Sequence, residues 1–149
     1  MIRTEDQQTF LSYGELFSRS AQRCLAAEKS IREHIPQLQE PYSQAAELVA
    51  EAEHRLATDL TEFASKSPDN IVCTRVQYKL DETPPPAPET VADAMANLTQ
   101  VNEQLATMLI DQADKTKLDT LRDTLATLHQ EIEAINKRIS MIRITAEDI

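Results

Sequence analysis

Glycine is almost missing from this chain: Gly14 is the only one in 149 residues. That excludes a glycine-rich phosphate loop, and with it P-loop and dinucleotide sites. Tryptophan is absent and other aromatics are few, which argues against sheets, whose turns usually need glycine. Two cysteines, Cys24 and Cys73, make neither a disulfide framework nor a close metal-type pair. They read as free thiols in a reducing cytoplasm. No apolar run approaches the roughly 18–20 residues that cross a bilayer. The opening MIRTEDQQTFLSYGEL also lacks the layout of a signal peptide. Basic charge is short as well, with 15 Lys and Arg against 25 Asp and Glu and a net charge of −10. Such a surface repels phosphate backbones and anionic lipid, so neither nucleic acid nor a membrane is expected as a partner.

Alanine, leucine, glutamate, glutamine and threonine are plentiful, the profile of one all-α domain over residues 1–149. Proline punctuates it. A first helix is predicted over about residues 5–35, ended by Pro36. Pro41 opens a second over about residues 41–66. Ser67-Pro68-Asp69 interrupts that helix and can cap a short extra one through Tyr78. LDETPPPAP reads as an extended connector, so the link covers about residues 67–87. Pro88 opens a third helix over about residues 88–112, and a fourth covers about residues 117–142.

Each helix carries one apolar stripe. In the fourth, Leu118, Leu121, Leu125, Leu128, Ile132, Ile135, Ile139 and Ile142 alternate spacings of three and four, as in bundle and coiled-coil seams. The third offers Val91, Ala94, Leu98, Val101, Leu105 and Met108. The first offers Phe10, Tyr13, Phe17, Ala21, Cys24, Ile31 and Ile35, and the second Ala45, Val49, Ala52, Leu56, Leu60 and Phe63. Four such stripes are buried best against one another. Short links make each pair of helices an antiparallel hairpin. Extended chain covers about 3.3 Å per residue, so the long middle link can travel the length of a helix of roughly 37 Å. The expected fold is a four-helix bundle with one long crossover, the ferritin-like arrangement.

The run AEAEHRLATDLTEFASKSPDNIVCTRVQYKLDETPPPAP resembles small bacterial ferritin-like, rubrerythrin-related proteins. The matching pieces are Glu53, Arg55, Leu56, the SPDN break, Thr74, Gln77-Tyr78 and Pro84 to Pro86. Arg75 and Val76 stand where that family carries aromatic residues. The resemblance implies the fold; iron has to be judged from the ligands.

A di-iron carboxylate site needs about four Glu and two His pointing inward, with Glu-x-x-His on two helices. Glu51 and His54 have that spacing. Placed at about 100° per residue, however, His54 falls nearly opposite the stripe of its helix and Glu51 well off it. Glu103 lies nearly opposite the stripe of the third helix, and Asn102 flanks it. His129, Glu131 and Glu133 lie on flanks or outside the fourth helix. Glu28 alone centres on an apolar stripe, where a Tyr, Arg or Lys is expected to satisfy it, since a buried carboxylate is costly unpaired. Cys24, one turn earlier, reads as a small core residue, and His34, His54 and His129 as solvated. Tyr78 is expected to pin the connector onto the bundle.

The resulting expectation is a non-catalytic, structural or protein-interaction bundle without cofactor or metal. Self-association as a homodimer is its expected partner mode, helped by Met141, Ile144 and Ile149 near the terminus. Two alternatives stand beside it. One is a di-iron oxidase or peroxidase using iron at Glu28, Glu51, His54, Glu103, His129 and Glu131. The other is an acidic helical adaptor or chaperone.

Overall fold

Ser12 sets the first boundary, because its hydroxyl oxygen accepts from the Glu15 backbone N–H at 3.1 Å, an N-cap. In the computed structural model, residues 10–81 and 83–147 are described, with side chains over residues 11–81 and 83–142. Strand β1 (Phe10–Ser12) runs into helix α1 (Tyr13–His34), followed by a 3-10 turn (Ile35–Gln37). Helix α2 spans Tyr42–Lys66, the short α3 Asp69–Val72, and strand β2 Arg75–Gln77. Helix α4 (Val91–Lys115) is capped by Thr90, whose hydroxyl accepts from Asp93 N–H, and helix α5 spans Asp119–Glu147. No helix among the described residues is long and apolar enough to cross a membrane.

The chain is mostly helical, with α1 packed on α2 and α4, and α5 packed on α4 and α2. Phe17 and Phe63 stack with ring centroids 4.2 Å apart, which sets the start of α1 against the end of α2. The Tyr13 hydroxyl donates to Gln112 Oε1 at 3.0 Å, so the end of α4 lies there too. The core is one contiguous cluster that includes Leu16, Phe17, Ile31, Leu56, Leu60, Leu98, Met108, Leu125, Ile132 and Ile139.

Several boundaries and stripe positions differ from the sequence reading. The composition argued against sheets, yet β1 and β2 form a two-stranded antiparallel sheet with Leu11 opposite Val76. Glycine scarcity did not forbid it, because the two strands come from distant parts of the chain and need no tight hairpin turn. The first helix begins at Tyr13, and the part of the expected helix before residue 10 lies outside the described residues. The short extra helix stops at Val72 and gives way to β2 before Tyr78, which packs half-buried against the core. The third helix starts three residues after Pro88, where Thr90 supplies the cap that proline lacks.

Leu118 is 47% exposed, because α5 starts only after it and the seam closes from Leu121 onward. In α2, Ala46, Ala50 and Ala57 are buried while Ala45 and Ala52 are half-buried, a small rotation of the expected stripe. Cys24 is buried and Cys73 exposed, both as free thiols. Ile144 and Ile149 have no described side chains.

Gly14 sits where β1 turns into α1, and a Cβ built there would lie 2.6 Å from Val72 Cγ1. Helix propensity favours Ala over Gly by about 0.5–1 kcal/mol, but this approach forces the Val72 side chain, or α3 with it, to shift. Gly14→Ala is therefore expected to destabilise the fold by about 1 kcal/mol, read from a urea midpoint. A raised midpoint would mean α3 yields freely.

Candidate functional site: a polar cluster inside the helical core

Polar side chains gather at mid-height of the helices in three groups. The innermost is built by α1, α2, α4 and α5. Glu53 and Asn102 are fully buried, and the Asn102 amide donates to Glu53 Oε1 at 2.9 Å and to Asn136 Oδ1 at 3.4 Å. The Cys24 thiol, also fully buried, lies against the Glu53 carboxyl. Glu53 Oε2 and Asn102 Oδ1 have no hydrogen bond of ordinary geometry. Burial pushes the Glu53 carboxyl up to about 7, against the lowering effect of the Asn102 and Cys24 hydrogen bonds. Burial, and then the neighbouring Glu53, holds the Cys24 thiol well above its ordinary value. The thiol therefore stays protonated and is a poor nucleophile.

The second group lies on the α1–α2 seam. Glu28 is buried, and its carboxylate accepts from Arg32 Nε at 2.7 Å and pairs with His54 Nδ1 at 2.9 Å. The third lies on the α2–α5 seam, where the carboxyls of Glu131 and Asp59 share a hydrogen bond. Burial, followed by Asp59, pushes Glu131 up to about 7, and Arg55 counteracts it.

The residues singled out from sequence scatter over these groups and beyond. Glu28 and His54 meet; Glu51 and Glu103 are exposed and reach neither. His54 is not simply solvated: its ring is exposed, yet it caps the Glu28 carboxylate. His34 is half-buried and its Nδ1 bonds the Ser30 carbonyl. His129 is half-buried and lies 3.5 Å from Glu133 on its own helix. Glu131 is half-buried on a flank. Among the described residues, no group of three or more His, Cys, Asp or Glu is placed to share a metal ion.

Two buried polar residues were misplaced by the sequence reading: Asn102, set on a flank, and Glu53, noted only as part of a resemblance. The signal existed. Buried Ala46, Val49, Glu53, Leu56, Ala57 and Leu60 follow the three-and-four spacing, with Glu53 at its centre. Leu98, Asn102, Leu105 and Leu109 do the same in α4. A pattern drawn from apolar residues alone steps around both.

Comparison of the chain with protein-family models, with curated proteins and with solved structures finds no significant match.

Proposed function

We propose that this chain is a ferritin-like four-helix bundle, two antiparallel hairpins joined by a proline-rich crossover. It works as a non-catalytic structural or protein-interaction module that self-associates. The crossover is supported by two contacts at one end of α1: Phe17 on Phe63 of α2, and Tyr13 on Gln112 of α4. With the ends of α2 and α4 both beside the start of α1, these contacts favour a link that runs along the bundle from the end of α2 to the start of α4.

The observation that carries the non-catalytic reading is the character of the inward positions. Where α5 would supply ligands it presents Leu125, Leu128, Ile132 and Ile135, all buried and aliphatic. Where α4 would supply a carboxylate it presents Asn102, engaged with Glu53. A carboxamide and aliphatic groups do not bridge two metal ions. Self-association is supported by exposed Leu48, Ile110 and Met141 on the helices and Leu118 just before α5.

One preparation tests both parts. Protein made with iron and zinc in the medium is expected to carry well under one metal per chain, and light scattering to give a dimer mass. Two irons per chain, with an oxidase or peroxidase activity, would replace this reading by the di-iron one. A monomer mass across a wide concentration range would remove the self-association.

A further inference from the structure

The proline-rich connector does not lie flat on the helices. Between it and α1 is a cavity of about 500 Å³, floored near α4 by Val101. Ala26 and Ala27 leave the room, having no side chain beyond Cβ, and Pro84, Pro85 and Pro86 form the facing wall. The Asn97 amide on α4 donates to the Pro86 carbonyl at 2.9 Å. This bond, and the stiffness of consecutive prolines, holds the strap off α1, so the cavity is formed in advance of any ligand. Its lining on α1 runs from Arg19 to Ser30, roughly 16 Å of helix. The shape is a narrow apolar trough, open to solvent.

Charge is placed at one end only. Arg19 and Arg23 line the trough a turn apart. Arg23 is half-buried and, among the described residues, makes no hydrogen bond or ion pair. The nearby carboxylate, Asp81, attracts Arg23 through space without a direct ion pair, while its oxygens accept from Thr83 N–H at 3.0 Å and Gln104 Nε2 at 3.5 Å. A guanidinium withdrawn from water against apolar walls gains most from a carboxylate, which can meet its planar fork in bidentate fashion. Asp81 and the net charge of −10 repel a multiply charged phosphate more strongly than a singly charged carboxylate.

We propose that this trough binds a medium-chain amphiphilic carboxylate, its headgroup on Arg23 and its alkyl tail lying between Ala26, Ala27 and the proline wall. Length follows from the trough, and head polarity from the end that holds the arginines.

Isothermal titration of the full chain with sodium decanoate tests it. Saturable binding near one per chain is expected, with butyrate and decyltrimethylammonium weaker by about tenfold or more. Arg23→Gln is expected to weaken decanoate by about tenfold, the usual loss for a charge-assisted pair. Ala26→Trp, at an exposed position, fills the trough and is expected to abolish binding while the helical spectrum stays unchanged. No saturable heat up to about 1 mM decanoate would overturn the proposal. So would equal binding of the cationic analogue, or undiminished binding by either variant.

Discussion

Glu53→Gln is expected to stabilise the protein by about 3 kcal/mol at pH 8 and to leave it almost unchanged at pH 4.5. Glu53 is fully buried, and its carboxyl is pushed from an ordinary 4.5 up to about 7. In the unfolded chain it ionises near its ordinary value. Between these two values the folded state holds a proton that the unfolded state has released. Stability therefore falls as pH rises from about 4.5 through about 7, and the whole cost is present above that. Glutamine is neutral throughout, and its carbonyl can still accept from the Asn102 amide. The groups around the site, Cys24, Asn102, Glu28 and Glu131, are left in place. Glu131, raised in the same direction by burial and by Asp59, leaves the variant a residual slope of the same sign. Urea denaturation of both proteins from pH 4.5 to 8 measures the difference. Parallel curves across that range would show that Glu53 stays ionised in the fold with a partner or water.

Leu125→Ala is expected to cost about 3 kcal/mol or more, and Leu118→Ala no more than about 0.5 kcal/mol. Both leucines stand on the same three-and-four register of the sequence. Leu125 is fully buried among the helices, so truncation removes a transfer contribution and leaves a cavity that neighbours only partly fill. Leu118 precedes the helix and is 47% exposed, so its truncation removes little buried surface. Chemical denaturation of the two variants side by side gives both numbers. Equal losses would mean that Leu118 is covered in solution, by a partner or a second copy of the chain.

Much of the helical layout was legible because its causes are local. Pro36 and Pro41 bound α1 and α2, and the unbroken run from Leu121 to Ile139 marks the buried face of α5. The strand pairing of Leu11 with Val76 was not legible, since nothing near either residue announces a partner more than sixty positions away. The polar interior was half legible. Glu28 could be placed on its stripe, but that its partners are Arg32 and His54 depends on how α2 is rotated against α1.

The sequence by itself determined helix content, the acidic surface and which motifs are impossible with one glycine, because composition and short-range sterics decide those. Only the tertiary structure decided that Glu53 and Asn102 meet in the core, that Cys24 joins them, and that Arg23 faces a trough under the prolines. A rotation of a helix by a fraction of a turn moves a side chain between water and core without changing any pattern in the sequence. The axial rotations are set when all four apolar faces pack at once, and that is a property of the assembled bundle.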